Sequence, residues 1–164
     1  MSNSLKTKKY CFDSDALISS WRLHYRPTIV KELWDRIGKK ITEGSILIPK
    51  EVRKEIGSGK DELVIWLKQY KTHIIPITIE QIGIVSDIVN KYPLVSRYNK
   101  PRPYHADPFV VAVARIHNCT VVTYEGLNRS PSHPKVPDLC KEYDVNYCSM
   151  SDFFEKEGWK FNFK

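Results

Sequence analysis

The 164-residue chain lacks any apolar run close to the length of a membrane-spanning helix, which takes about 20 residues. It also lacks an apolar stretch behind its polar, basic first residues, so we expect no secretory signal. No segment repeats, and no tract of low complexity interrupts the chain. These absences predict one domain over residues 1–164, with 1–8 as a flexible basic end, located in the cytoplasm.

The cysteines lack the spacing of a redox or metal-ligand motif. Cys11, Cys119, Cys140 and Cys148 form no Cys-x-x-Cys pair, and three of them lie in apolar, strand-like surroundings. We therefore expect buried free thiols in a reducing compartment.

Acidic residues are in the minority, with 19 Asp and Glu against 26 Lys and Arg, which gives a net charge of +7. A basic surface favours polyanionic partners, with nucleic acid first and an acidic membrane surface second. The same charge also serves solubility alone, so it does not decide between these interpretations.

Short apolar strands alternate along the chain with helices whose apolar residues keep a 3.6-residue period. Strands are predicted over residues 9–13, 45–48, 120–123 and 145–148, with a short extended segment over 74–77. Helices are predicted over residues 16–18, 26–43, 49–56, 61–70, 78–91, 108–117, 138–143 and 151–158. Their predicted starts include Asp15, Thr78 with Gln81, Asp107, and Ser151 with Asp152. The alternation predicts an α/β fold with a mainly parallel sheet and helices on both faces.

Four acidic residues stand where this fold would bring them to one edge of the sheet. Asp13 closes the first strand, and Glu55 lies on the helix after the second. Asp107 opens the most apolar helix, and Glu125 follows the third strand. Ligands of open α/β sheets bind at this edge, and carboxylates gathered there repel one another unless a cation lies between them. Because oxygen ligands suit Mg²⁺ or Mn²⁺, the pattern predicts a metal-dependent phosphodiesterase.

Each of these residues also has a plain structural interpretation. Asp107 before Pro108 is a good helix start without any function. Glu55 fits a solvated helix face, and Glu51 competes with it from the same face. Asp13 is harder to explain in this way, because a carboxylate that continues a buried strand needs a partner.

The ordered segments resemble the PIN domain superfamily, which includes the VapC-type ribonuclease toxins of bacteria. Residues 10–18 (YCFDSDALI) are similar to its first strand and helix, and residues 48–56 (IPKEVRKEI) to the helix that bears its glutamate. Residues 107–114 (DPFVVAVA) resemble its Asp-opened helix. Residues 121–125 (VVTYE) follow, where the family usually ends in Thr-x-Asp, so this chain has Glu125 in place of an aspartate.

The resemblance spans about residues 9–155 and implies a three-layer α/β/α PIN-like fold with Mg²⁺- or Mn²⁺-dependent cleavage of single-stranded RNA. It implies four catalytic residues that hold the metal directly or through water: Asp13, Glu55, Asp107 and Glu125. It implies three residues that support them by hydrogen bonds: Ser14, Asp15 and Thr123. VapC-type members also form homodimers and are neutralised by an antitoxin protein, so both partners are expected.

A basic and aromatic segment directly precedes the predicted catalytic helix. Arg97, Lys100 and Arg102 alternate there with Tyr98 and Tyr104. Cations can follow phosphates and tyrosines can stack on unpaired bases, so we predict that these five residues bind RNA. The alternative is a proline-rich connector with a solvated basic face.

Two other functions remain open. Residues 12–17 resemble the first motif of haloacid-dehalogenase-type phosphatases, in which Asp13 would be the nucleophile and Asp15 the acid/base. The Gly-Thr that usually follows that second aspartate is missing. The second alternative is a non-catalytic PIN-like module that binds RNA or a protein. Glu125, in place of the aspartate usual in the family, would then be part of a weakened acidic site.

Overall fold

A four-stranded parallel sheet lies at the centre of the computed structural model, which describes residues 7–92, 106–128 and 132–162. The strands are β1 (Tyr10–Phe12), β2 (Ile46–Leu47), β3 (Thr120–Val122) and β4 (Tyr147–Cys148). Their order across the sheet is β2-β1-β3-β4, and each neighbouring pair runs parallel. The predicted segment over 74–77 joins the β2 edge through one parallel bridge between Pro49 and Ile75.

Helices fill the connections between these strands. They are α1 (Ser14–Ser19), α2 (Lys31–Thr42), α3 (Lys50–Ile56), α4 (Glu62–Lys68), α5 (Ile79–Lys91), α6 (Asp107–His117), α7 (Val136–Glu142) and α8 (Met150–Lys156). A π-helical segment, Ser20–His24, continues α1, and one 3₁₀ turn, Lys71–His73, follows α4. Among the described residues, no helix is long and apolar enough to cross a bilayer.

The side chains of β1 show that helices cover both faces of the sheet. Tyr10 and Phe12 contact the ring of Phe153 on α8, with ring centroids 4.7 and 5.2 Å apart. Cys11 points to the opposite face, where its Sγ donates to the Val110 carbonyl of α6 at 3.7 Å. Because successive side chains of a strand alternate between faces, this arrangement confirms the predicted three-layer α/β/α fold.

The strand order reverses between β1 and β3. The chain leaves β1 towards β2 on one side, and it leaves β3 towards β4 on the other. Such a reversal opens a crevice beyond the carboxyl ends of the two central strands, where α/β proteins bind their ligands. Asp13 and Thr123 are the residues that follow these two strands directly.

Several helix starts differ from the prediction, because short polar residues at neighbouring positions offer alternative caps. Asp13, rather than Asp15, caps α1. Ser149 caps α8 together with Asp152, two residues before the predicted Ser151. Thr78 caps α5 as predicted, where its oxygen accepts from the Gln81 amide at 3.2 Å.

Two further helices begin at residues other than the predicted ones. Helix α2 starts at Lys31 rather than residue 26, because the chain from Arg26 forms a turn and leaves Ile29 71% exposed. Its buried face begins at Leu33. Helix α7 starts at Val136, two residues before the predicted Asp138.

Candidate active site

Asp13 is held at the end of β1 by two hydrogen bonds and is 3% exposed. The Ala16 amide donates to one carboxylate oxygen at 2.7 Å, and Thr123 Oγ1 donates to the other at 2.6 Å. Burial raises the pKa of Asp13 to about 7, although both hydrogen bonds favour the ionised form. The charges of Glu125 and Asp15 contribute to the same rise. Asp13 is therefore both the N-cap of α1 and a carboxylate whose ionised form is destabilised by burial.

Asp107 is the first residue of α6, and its carboxylate does not cap that helix. The N-cap is Ala106, so the predicted N-cap position of Asp107 is wrong, and Asp107 lies instead in the first turn beside Pro108. Burial raises the pKa of Asp107 to about 8, and Glu125, Asp13 and Glu55 add to the rise in that order. The side chain stays partly open to solvent, while the surrounding protein removes much of its hydration. The charged groups that shift its pKa are thus all carboxylates.

Glu55 on α3 reaches the start of α6 beside Asp107. Its Oε2 accepts a hydrogen bond from the Ala106 amide at 3.0 Å. Glu51 has a different role, because its buried carboxylate pairs with Lys54 Nζ at 2.8 Å. Of the two glutamates on this helical face, Glu55 is the one whose charge acts on Asp107.

Thr123 connects Asp13 to the backbone of Glu125. Its Oγ1 donates to Asp13 and accepts from the Glu125 amide at 3.0 Å. The Glu125 side chain then reaches the start of α7, where Oε2 accepts from the Val136 amide at 3.0 Å. The predicted supporting residue Thr123 therefore lies between two of the predicted catalytic residues.

Asp138 orders the loop behind Glu125, a role that sequence reasoning missed. Its Oδ2 accepts from the Asn128 amide at 2.9 Å and from the Lys135 amide at 2.8 Å. The spacing of three residues from Lys135 to Asp138 is that of an N-terminal helix box, and it could have indicated the true start of α7.

The other predicted site residues have different placements. Ser14 is buried, and its Oγ has no hydrogen-bond partner among the described residues. Asp15 is exposed and accepts from Ser19 Oγ on the same helix. The five predicted RNA-binding residues lie outside the described residues: Arg97, Tyr98, Lys100, Arg102 and Tyr104.

The donors at this edge fit a hard divalent cation. They are carboxylate oxygens, and three of the four carboxylates are fixed by backbone amides. Within the described residues, however, no group of three or more His, Cys, Asp or Glu side chains is arranged so that it could hold a metal ion.

The fold and the raised pKa values of Asp13 and Asp107 define a parallel α/β protein with an acidic crevice where its strand order reverses. Residues 10–161 match the family described as a domain of unknown function (DUF4411), and the chain belongs to that family. No curated protein matches the chain.

Three solved structures have a similar fold. One is VapBC2 from Rickettsia felis bound to a DNA fragment from their promoter, at 11% identity over 85% of this chain and 97% of that chain, with a TM-score of 0.49. Another is FitAcB from Neisseria gonorrhoeae, at 14% identity over 84% and 95% of the two chains, with a TM-score of 0.49. The third is FitAB bound to an IR36 DNA fragment, at 16% identity over 85% and 94%, with a TM-score of 0.48. Sequence identities and TM-scores this low do not support assigning the function of these proteins to this chain.

Proposed function

We propose that the protein is a divalent-metal-dependent endoribonuclease that cleaves single-stranded RNA. Its metal-holding residues would be the four carboxylates at the sheet edge: Asp13, Glu55, Asp107 and Glu125. The observation that carries the proposal is the electrostatic coupling at Asp107, whose pKa is raised to about 8 by burial and by the other three carboxylates. Such an arrangement is costly unless it serves a cation.

The metal and the residues around it would have different roles in cleavage. Bound Mg²⁺ or Mn²⁺ would supply an activated water and offset the charge that develops on the phosphate. Thr123 keeps Asp13 ionisable by donating to one oxygen, and it positions Glu125 through the backbone. The Ala106 and Val136 amides fix the orientation of Glu55 and Glu125 before RNA arrives. The net charge of +7 would attract a polyanion to the protein as a whole, and a bound cation would offset the local repulsion between phosphate and carboxylates.

The motif resemblance supports a more specific role as the toxin of a toxin–antitoxin pair. An antitoxin protein and a second copy of the chain would then be its partners, in the cytoplasm. The basic segment 97–104 would guide RNA into the cleft through Arg97, Lys100 and Arg102, with Tyr98 and Tyr104 as stacking groups.

The phosphatase alternative is not favoured by the geometry around α1. Asp15 is exposed and bonded to Ser19, which removes it from the position of a shared acid/base.

Cleavage of a labelled single-stranded RNA in Mn²⁺ tests the proposal. We expect Asp13→Asn and Asp107→Asn each to lower the rate by at least about 100-fold, because losing a ligand should exceed the 10- to 100-fold cost of losing a supporting partner. Asp35→Asn, which changes the same charge on the exposed face of α2, is the matched control and should cleave normally. Thermal melting verifies that each variant folds.

Undiminished cleavage in chelator, or in either site variant, would refute the nuclease. Hydrolysis of a phosphate monoester without RNA cleavage would favour the phosphatase. RNA binding without any cleavage would favour the non-catalytic module.

A further inference from the structure

A pair of aromatic rings lies beside the acidic edge. The rings of His24 and Tyr124 have centroids 5.1 Å apart and planes tilted by 41°. His24 is exposed, whereas Tyr124 is half-buried beneath it. The pair is therefore exposed to solvent on the His24 side and partly buried on the Tyr124 side.

Tyr124 is fixed in place from both sides. A hydrogen bond of 2.7 Å joins its hydroxyl to the buried Ser20 Oγ. In the chain it lies between Thr123, which bonds to Asp13, and Glu125.

The π-helical segment that carries His24 is equally well anchored. Its wide turn closes with a hydrogen bond of 2.7 Å from the Tyr25 amide to the Ser20 carbonyl, which brings Ser20 and His24 to the same side. Trp21 packs edge-on against Trp34 at 4.6 Å, and Trp34 Nε1 donates to the Tyr25 carbonyl at 2.6 Å. Because π-helical turns are rare and concentrate at functional sites, this segment is a candidate part of a binding site.

From this geometry we infer that His24 and Tyr124 form a stacking subsite for one unpaired nucleobase next to the scissile phosphate. The inference rests on the proposed nuclease function and specifies how its substrate is held. Every base has a π-face, so an exposed ring on a rigid support binds single strands with little sequence preference. Arg26, on the turn after His24, uses its Nε–H on the Arg22 carbonyl and keeps the rest of its guanidinium at the surface for a phosphate.

Two RNA probes of equal length and charge isolate the contribution of a base. One is a short oligoadenylate, and the other is a chain of abasic ribose phosphates. Binding to each is measured by fluorescence anisotropy in chelator, so that no cleavage occurs. We expect His24→Ala to weaken oligoadenylate binding by about 5- to 140-fold, the range for loss of one stacked base, and to leave binding of the abasic chain unchanged.

Two further variants separate stacking from structure and charge. His24→Phe keeps an aromatic ring and should retain oligoadenylate binding. Leu23→Ala, at a neighbour that is 68% exposed on the same segment, is the matched control and should bind both probes as the wild type does. Thermal melting of each variant shows whether the π-helical segment is intact.

Equal loss on both probes in His24→Ala would overturn the subsite, because the histidine would then act through charge or structure. Binding of oligoadenylate that is unaffected by His24→Ala would also overturn it, and so would a wild type that binds neither probe. Mn²⁺-dependent cleavage by the wild type, measured in parallel, reports on the nuclease itself. Cleavage without a base-dependent effect of His24 would remove the subsite and leave the nuclease standing.

Discussion

At the residue scale, hydrogen bonds fix three of the four acidic side chains of the candidate site. Asp13 is bound through both oxygens, and Glu55 and Glu125 each accept from a backbone amide at the rim of the cleft. Asp107 lies among them, and its pKa of about 8 is higher than that of Asp13, which is about 7. The free energy of folding is therefore sensitive to the protonation of this cluster.

The first prediction concerns stability against pH in chelator. Asp13 and Asp107 have folded-state pKa values of about 7 and about 8, against about 3.9 for an aspartate in an unfolded chain. Between these limits the unfolded chain binds fewer protons than the folded chain, so the free energy of unfolding falls as pH rises. We expect Asp107→Asn to make this fall shallower between about pH 5 and pH 8, by at most about 1.4 kcal/mol per pH unit.

Chemical denaturation across this pH range, on wild type and variant, checks the difference. Histidines titrate in both proteins, so comparing the two isolates the carboxylate. Asp35→Asn, at an exposed position on α2, should give the wild-type slope. A variant slope equal to or steeper than that of the wild type would show that Asp107 is ionised throughout.

At the element scale, the four strands were predictable from sequence, whereas several helix starts and the contacts around the site were not. The strands are short buried apolar runs, and their polar followers, such as Asp13 and Thr123, mark one edge of a parallel sheet. Helix starts shifted where two caps compete, as at Ser149 against Ser151.

Features that depend on tertiary packing could not be predicted from the local sequence. The π-helical turn over Ser20–His24 has no sequence period of its own, and it is held by Tyr124, about a hundred residues away. The bond from the Val136 amide to Glu125 likewise depends on where α7 begins. The predicted helix over 26–43 was wrong at its first residues, because Ile29 continues the apolar period of the sequence but is exposed in the structure.

The packing of α2 on the chain after α4 gives a prediction at this scale. A Cβ atom at Gly38 would lie 2.0 Å from the Tyr70 hydroxyl oxygen. We expect Gly38→Ala to destabilise the protein, because overpacking costs about 1–3 kcal/mol and outweighs the gain in helix propensity of at most about 1 kcal/mol. Denaturant unfolding measures the change.

A second glycine and a second background serve as controls. A Cβ atom at Gly83 on α5 would have no described atom within 4 Å outside its own helix turn, so Gly83→Ala should stabilise by up to about 1 kcal/mol. In a Tyr70→Ala background, Gly38→Ala should also become stabilising. Destabilisation that persists in that background would mean that Tyr70 is not the obstacle.

At the scale of the whole molecule, a chain of net charge +7 presents a local excess of carboxylates to a polyanion. If the protein is the proposed nuclease, RNA binding would depend on the basic residues and RNA cleavage on the carboxylates. Replacing Arg97, Lys100 and Arg102 together should flatten the salt dependence of RNA binding, with a change in log–log slope of about 2 for three lost contacts on single strands.

This salt series is measured on metal-free protein with a single-stranded RNA. The same charge change at Lys31, Lys39 and Lys68, which are exposed on α2 and α4, is the matched control and should alter the slope less. An unchanged slope in the first triple variant would place the RNA path elsewhere, for example along residues 129–135.

The most direct test of the central claim is a crystal structure of the protein soaked with Mn²⁺, with anomalous diffraction used to locate the ion. The prediction is a peak in the cleft between β1 and β3, about 2 Å from oxygens of Asp13 and Asp107, with Glu55 and Glu125 bound directly or through water. A cleft without an anomalous peak, or an ion bound away from Asp13 and Asp107, would contradict the assignment of these carboxylates as a metal site.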